Sequence, residues 1–213
     1  MKPSLDEVFS PRGIAIIGVS GSGKLGFAEM ILMAHLEINN RCVYPVNPKY
    51  EEIFGVKCYG SLIDIPEPVD HVVVNIPATS VLELLEQCGE KGVTSVHFFT
   101  AGFGESGISE RAELEQQMLE LARQKNFRII GPNCVGLHVP KAKTSFALGV
   151  PYDHGPIGFL SQSGGHASNL PAFSALRGLR FSKIVSYGNA LDIDEIELLD
   201  YMADDPETEI IGA

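Results

Sequence analysis

The hydrophobic positions of the chain form short apolar runs that alternate with segments of helical periodicity. Five runs are rich in β-branched or aromatic residues and end in a turn, which predicts strands within residues 13–18, 41–48, 71–77, 95–104 and 127–133. Three segments carry apolar residues at helical spacing, which predicts helices at 27–37, 79–90 and 109–125. Strands that are apolar on both faces and separated by helices form a parallel sheet covered on both sides. Residues 1–140 are therefore predicted to be a doubly wound, Rossmann-like α/β domain.

The pattern breaks after this domain and then starts again. Residues 137–156 lose the periodicity and gather proline, lysine and glycine, which predicts a crossing segment with its bounds at 141–155. Beyond it, residues 156–213 are predicted to begin a second α/β domain, with strands at 157–161, 181–187 and from Thr208, and helices from about 163 and at 193–203. The last strand ends at Ala213 without a following helix, so we expect a piece of a longer chain.

Composition and charge narrow the class of partner. The chain has 16 lysine and arginine residues against 27 aspartate and glutamate residues, a formal net charge of −11. Nucleic acid is an unsuitable partner for such a chain, because phosphate backbones are bound through basic surfaces. No apolar stretch approaches the roughly 20 residues that span a bilayer, and the N-terminus lacks a signal-peptide pattern. We therefore expect a cytoplasmic protein without a membrane partner.

The residues also give no pattern typical of a metal site. The four cysteines form no CxxC pair. Asp192, Asp194, Glu195 and Glu197 form an acidic cluster without histidine or cysteine at ligand spacing, and we interpret it as the acidic first turn of a helix.

A glycine-rich loop follows the first predicted strand, in the sequence IAIIGVSGSGKLG at 14–26. The loop is compatible with a nucleoside triphosphate, a dinucleotide or coenzyme A. A P-loop needs serine or threonine after its lysine to bind magnesium, whereas Leu25 follows Lys24. A dinucleotide loop needs an acidic residue at the end of the second strand to hold the ribose hydroxyls. Asn47 and Lys49 stand there instead, which favours a ribose that carries an extra phosphate, as in NADP or coenzyme A.

The turns after the other strands favour coenzyme A over NADP. The segments NIPAT, TAGFG and GPNCVG, at 75–79, 100–104 and 131–136, fall at the carboxyl edge of the sheet, where open α/β sheets bind their ligands. These small, proline-bent turns leave room for a long thin chain such as pantetheine. NADP stays an alternative, but no pair of residues suggests a site for hydride transfer.

The chain closely resembles the coenzyme A binding part of the NDP-forming acyl-CoA synthetases, which are relatives of the succinyl-CoA synthetase alpha chain. The resemblance covers nearly the whole chain and is specific in the combination of VNPKY, GPNCVGL, LSQSG and ADDPET. It implies a coenzyme A domain followed by a flavodoxin-like domain, in a ligase that joins an organic acid to coenzyme A through an acyl phosphate and a phosphorylated histidine. The motif of that histidine belongs beyond Ala213, so no catalytic residue is expected within this chain.

The resemblance also implies binding residues. Coenzyme A is expected at the glycine loop, the end of the second strand and the next three turns: Gly18, Ser20, Gly21, Ser22, Gly23, Lys24, Leu25, Asn47, Lys49, Ile76, Pro77, Ala78, Ala101, Gly102 and Asn133. Phosphate is expected at the start of a helix: Ser161, Ser163, Gly164 and Gly165. Free N–H groups and the positive end of a helix dipole suit a dianion there, whereas the simpler alternative is that Ser163 only caps its helix.

The remaining parts of such an enzyme are expected outside this chain. The resemblance implies an ATP-grasp domain or beta subunit that brings Mg²⁺ and ATP or ADP, or GTP or GDP, and an oligomer in the full-length form. A rival hypothesis is a coenzyme A sensing module that has kept the fold and lost the ligase chemistry. His166 lies where the family usually has alanine or leucine, and we interpret it as a variant without a role rather than as a donor to phosphate.

Overall fold

The structure is a computed structural model that describes residues 2–38, 42–146 and 148–213. Its first sheet has five parallel strands in the order β2-β1-β5-β6-β7. These strands are β1 (Ile14–Ile17), β2 (Val43–Val46), β5 (His71–Val74), β6 (Ser95–Phe98) and β7 (Arg128–Ile130). Two short strands, β3 (Glu52–Ile53) and β4 (Val56–Lys57), form a separate antiparallel hairpin.

Three helices pack against this sheet, namely α2 (Phe27–Glu37), α3 (Val81–Lys91) and α4 (Ser109–Lys125). The short helix α1 (Leu5–Phe9) instead belongs to the hydrophobic cluster that contains Leu160 and Val185 of the second sheet. A capping box between Ser4 and Glu7 begins α1. The left-handed residues Gly92 and Asn126 end α3 and α4. Single turns of 3₁₀ helix occupy Ala78–Ser80 and Gly104–Ser106, next to the strand ends.

The first sheet forms the centre of the molecule. Every residue of β1, β5, β6 and β7 is buried. Parallel strands that are covered by helices on both faces favour apolar residues at most positions, which explains the nearly continuous apolar runs in the sequence. The predicted doubly wound sheet is confirmed.

The second sheet has four strands in the order β11-β9-β10-β8. They are β8 (Gly136–His138), β9 (His154–Ser161), β10 (Phe181–Ser186) and β11 (Ile210–Gly212). The first is antiparallel to β10, and the other pairs are parallel. Two helices, α5 (Gly164–Ala175) and α6 (Glu195–Asp204), follow β9 and β10, and a 3₁₀ turn lies at Pro140–Ala142.

Several elements differ from those predicted. The helices α2 and α4 have the predicted bounds, but the strands predicted at 71–77 and 95–104 end at Val74 and Phe98, because the residues that follow form the turns. Periodicity missed α1, the β3–β4 hairpin and β8, which are too short to show a repeating pattern. The predicted strand 41–48 is observed as Val43–Val46, and its residue 41 lies outside the described residues.

A buried arginine joins the two sheets. Arg128 on β7 is only 1% exposed, and its Nε lies 2.7 Å from Oδ2 of Asp192. Its Nη2 lies 2.6 Å from Oε2 of Glu197, in the first turn of α6. The acidic cluster was predicted as a helix start, and Asp194 does cap α6, but two of its members also neutralise this buried cation. The arginine therefore fixes the second sheet against the end of the first.

None of the helices within the described ranges is both long and apolar enough to cross a membrane.

Candidate functional site

The strand order places a crevice between β1 and β5. The chain leaves β1 toward β2 on one side and reaches β5 on the other, so the carboxyl ends of β1 and β5 form the topological switch point of the sheet. Gly18 follows β1 with a φ of +90°, and a Cβ atom there would lie 2.4 Å from the carbonyl oxygen of Asn75. Only glycine fits this close approach.

One cleft, here called the β1 cleft, opens over the ends of β1, β2 and β5. Its volume is about 510 Å³, and its lining includes Gly18, Asn47, Lys49, Ile76 and Pro77. The side chain of Asn47 donates to the carbonyl oxygen of Val19 at 2.7 Å and accepts from the backbone N–H of Lys49 at 3.0 Å. This amide ties the turn after β2 to the loop after β1 and positions Lys49 at the rim of the cleft.

Lys49 supplies a local positive charge on an acidic protein. Its side chain is exposed and forms no ion pair with any described residue. Lys24 on the glycine loop is likewise exposed and unpaired within residues 2–38, 42–146 and 148–213. An anion that enters the β1 cleft can therefore meet a lysine that is not paired with a described carboxylate, although Glu83 also lines this cleft.

A second cleft, here called the junction cleft, lies between the two sheets and has a volume of about 780 Å³. Asn75, Thr100, Ala101 and Asn133, at the strand ends of the first sheet, line one wall, and Gly164, Gly165 and Ser168 of α5 line the other. Ile76 and Pro77 line both clefts. The two clefts therefore form one elongated path across the carboxyl edge of the first sheet.

The N-terminus of α5 presents free donors to the junction cleft. Ser163 caps the helix, since its hydroxyl accepts from the N–H of His166 at 3.3 Å, and its carbonyl accepts from the N–H of Ala167 at 3.1 Å. The N–H of Ser163 donates in turn to the hydroxyl of Ser161 at 3.1 Å. The N–H groups of Gly164 and Gly165 have no partner in the part of the chain that the structure describes. Two donors at a helix N-terminus form a suitable place for an oxyanion.

The glycine loop is closed by a carboxylate of its own chain. Glu29, in the first turn of α2, is only 4% exposed. Its Oε2 accepts from the N–H of Gly26 at 2.9 Å, and its Oε1 accepts from the N–H of Ser20. Sequence reasoning missed this residue, although Glu29 lies three residues after the N-cap residue Gly26, which is the spacing of a capping box.

A second carboxylate closes the turn at Gly102. Glu105 accepts from the N–H of Phe103 at 3.1 Å, from the N–H of Gly102 at 2.5 Å and from the side-chain amide of Asn189 at 2.6 Å. Burial raises the pKa of Glu105, but the hydrogen bonds from Gly102 and Asn189 outweigh it and leave the pKa below the ordinary value. This turn is therefore held rigidly against the loop that precedes α6.

The predicted binding residues fall into two sets. Those that line one or both clefts are Gly18, Asn47, Lys49, Ile76, Pro77, Ala101, Asn133, Gly164 and Gly165. Those that line neither cleft are Ser20, Gly21, Ser22, Gly23, Lys24, Leu25, Ala78, Gly102, Ser161 and Ser163. The first set follows the strand ends, whereas most of the second set belongs to the glycine loop and to the turns that support the clefts.

The clefts favour binding over acid–base chemistry. Cys134 lines the junction cleft, but burial raises the pKa of its thiol, which keeps the thiol protonated. No group of histidine, cysteine, aspartate and glutamate side chains among the described residues is arranged to hold a metal ion. The arrangement can hold an elongated anionic ligand between Lys49 and the donors of α5.

A doubly wound sheet with its ligand crevice at the switch point, facing the N-terminus of a helix from a second sheet, defines an α/β protein of the nucleotide-binding type. The chain belongs to the CoA binding domain family, whose model matches residues 12–140. Residues 154–213 match the model of the succinyl-CoA ligase like flavodoxin domain.

Similar proteins carry the same two parts within longer chains. The acetate–CoA ligase [ADP-forming] of Methanocaldococcus jannaschii is 42% identical over 211 residues, which cover 97% of this chain and 29% of that protein. The alpha subunit of acetate–CoA ligase [ADP-forming] II of Pyrococcus furiosus is 39% identical over 98% of this chain and 45% of that subunit. This chain thus spans less than half the length of either relative.

A solved structure agrees with this assignment. The dinucleotide forming acetyl-coenzyme A synthetase 1 of Ca. Korarchaeum cryptofilum, in complex with phosphate and ADP, superposes with a TM-score of 0.88. It is 34% identical, and the match covers 98% of this chain and 44% of that chain.

Proposed function

We propose that this chain is the coenzyme A binding part of an ADP-forming acyl-CoA ligase, and that coenzyme A lies along the path formed by the β1 cleft and the junction cleft. The observation that carries the proposal is the wall of Ile76 and Pro77, which is common to both clefts. It makes the path long and narrow, as a ligand with a nucleotide at one end and a thiol at the other requires.

The residues at the two ends of the path suit the two chemically different ends of coenzyme A, the phosphorylated nucleotide and the thiol. At the β1 cleft, Lys49 can pair with the phosphate on the ribose, and a charge-assisted contact of this kind is stronger than a neutral hydrogen bond. In the middle, Ile76 and Pro77 offer apolar contact to the pantetheine chain. At the junction cleft, the thiol end would face the free N–H groups of Gly164 and Gly165.

These N–H groups suggest how the chain contributes to the reaction. In the ligase reaction, an acid, coenzyme A and a nucleoside triphosphate yield acyl-CoA, a nucleoside diphosphate and phosphate. Donors fixed at the N-terminus of α5 would stabilise the oxygens of a phosphoryl group without rearranging, which is the main way in which proteins assist phosphoryl transfer. Their role in this chain is to bind and orient the phosphate beside the thiol.

The remaining chemistry is assigned to parts outside this chain. We assign the rest of the reaction to an ATP-grasp domain or beta subunit that would supply ADP or ATP, Mg²⁺ and contact with the phosphorylated histidine. The names of the relatives, which include ADP-forming ligases and their alpha subunits, support the use of ADP and a further subunit. The substrate is a small organic acid. We further propose a cytoplasmic protein that is oligomeric in its full-length form.

The test is calorimetric titration with coenzyme A, dephospho-coenzyme A and NADP. Lys49→Ala should weaken coenzyme A binding by about tenfold, equivalent to about 1.4 kcal/mol, and should leave dephospho-coenzyme A unchanged. Lys57→Ala is the matched control, because it removes an equal charge from an exposed site on β4 outside both clefts. Binding of NADP in place of coenzyme A, or equal losses in the two lysine variants, would contradict the proposal.

A further inference from the structure

We propose that Glu29 is a specificity-determining residue, whose buried carboxylate occupies the place where a dinucleotide would put its pyrophosphate. The inference deepens the proposed function, on which it rests, by naming what rejects NAD and NADP from a loop that has the dinucleotide spacing. Gly21, Gly23 and Gly26 have the GxGxxG spacing, follow a strand and precede a helix.

In a dinucleotide site, the pyrophosphate accepts hydrogen bonds from the loop and from the N-terminus of the following helix. Here two of the donors in this region are already bound. The carboxylate of Glu29 accepts from Gly26 at the helix end and from Ser20 at the other side of the loop. It therefore spans the loop as a ligand phosphate would, and it does so from a position that is 4% exposed.

A phosphate group and this carboxylate exclude each other. Both are anions that would accept from the N–H groups of Ser20 and Gly26, and two like charges at that distance repel each other. The carboxylate of Glu29 also places a negative charge at the positive end of the α2 dipole. This charge weakens the attraction of that helix end for an anionic ligand. A dinucleotide would have to expel Glu29, whereas a ligand that avoids the N-terminus of α2 would not.

The two clefts lie along a path that avoids the N-terminus of α2. Residues 20–26 line neither the β1 cleft nor the junction cleft, and the open path passes from Lys49 over Gly18 to Ile76 and Pro77 instead. A ligand on this path meets the chain at the strand ends and not at the start of α2. The carboxylate of Glu29 therefore remains in place when coenzyme A binds, and only ligands that need the helix N-terminus are rejected.

The test is to remove the carboxylate and measure NADP binding by calorimetry. Glu29→Ala should raise NADP affinity by at least about tenfold over the unmodified chain, while coenzyme A affinity changes by less than about threefold. Glu7→Ala is the matched control, since Glu7 is the capping-box glutamate of α1 and lines neither cleft. A folded Glu29→Ala chain with unchanged NADP affinity would overturn the inference.

A second measurement on the unmodified chain applies even where Glu29→Ala does not fold. In a ¹⁵N-labelled sample, the amide signals of Ser20 and Gly26 should stay in place as coenzyme A is added, because their bonds to Glu29 persist. Large shifts of both signals would show that the ligand displaces the carboxylate, and would overturn the inference. Failure of the proposed function is distinguishable, because it appears as absent coenzyme A binding in the unmodified chain and in Glu7→Ala.

Discussion

Four buried histidines should make the fold sensitive to mild acid. His35 on α2, His71 on β5, His97 on β6 and His138 on β8 are each no more than 2% exposed. His35 donates from Nδ1 to the carbonyl of Ile31 at 2.9 Å, and its Nε2 has no partner among the described residues. His97 donates from Nε2 to the carbonyl of Cys134 at 3.0 Å. Each ring thus has a neutral form that fits the core and a charged form that does not.

Burial lowers the pKa values of His35, His97 and His138 to about 4. Burial, followed by the proximity of His97 and His35, lowers the pKa of His71 to about 3. In the unfolded chain each of these histidines takes up a proton near pH 6.5, so between that pH and about pH 4 the unfolded chain binds about four more protons than the native state. Stability therefore falls as the pH is lowered through this window and is fully present above it.

The size of the effect follows from these pKa values. At pH 5, relative to pH 8, each histidine should lower the free energy of unfolding by about 2 kcal/mol, and the four together by about 8 kcal/mol. This is a large part of the roughly 5 to 15 kcal/mol that stabilises a typical domain.

The assay is urea denaturation at several pH values between 5 and 8. His35→Leu should reduce the pH-dependent loss by about one quarter, because it removes one of four buried titratable rings and replaces it with an apolar side chain. Met33→Leu on α2 changes the packing without removing a titratable group, and its pH dependence should match that of the unmodified chain. A free energy of unfolding that is constant from pH 8 to pH 5 would refute the reasoning.

Three further predictions concern single contacts, each measured by urea or thermal unfolding. Gly18→Ala places a Cβ 2.4 Å from the carbonyl oxygen of Asn75 at a φ of +90°, so it should lower both the melting temperature and coenzyme A affinity; an unchanged melting temperature would contradict the geometry. Arg128→Met leaves the carboxylate of Asp192 without its buried partner and should cost about 3 to 5 kcal/mol, far above the effect of removing a surface lysine. Asn47→Ala removes two hydrogen bonds and should cost about 1 to 2 kcal/mol, with weaker coenzyme A binding; loss of stability alone would make its role purely structural.

Sequence patterns located the regular core well because burial on both faces favours apolar residues at most positions of these strands. β1 and β5, with all residues buried, could be identified from their apolar runs. The short strand β8 could not, since three residues show no period and its pairing with β10 depends on residues nearly fifty positions away.

The site was predictable only as far as it follows from topology. Turns after parallel strands meet at one edge, so the grouping of Gly18, Ile76 and Asn133 near one another follows from the strand pattern. The binding of the glycine loop by Glu29 does not follow from the strand pattern, because it depends on which acceptor reaches the N–H groups of Ser20 and Gly26. A carboxylate from the same helix competes there with a ligand phosphate, and the spacing of glycines is the same in both cases.

The most direct test of the coenzyme A path is an NMR titration of the ¹⁵N-labelled chain with coenzyme A. If the ligand spans both clefts, the amide signals of Gly18, Ile76, Gly164 and Gly165 should shift together along one binding curve. Shifts confined to the β1 cleft, with the two α5 glycines unmoved at saturation, would show that the ligand does not reach the junction cleft and would contradict the account.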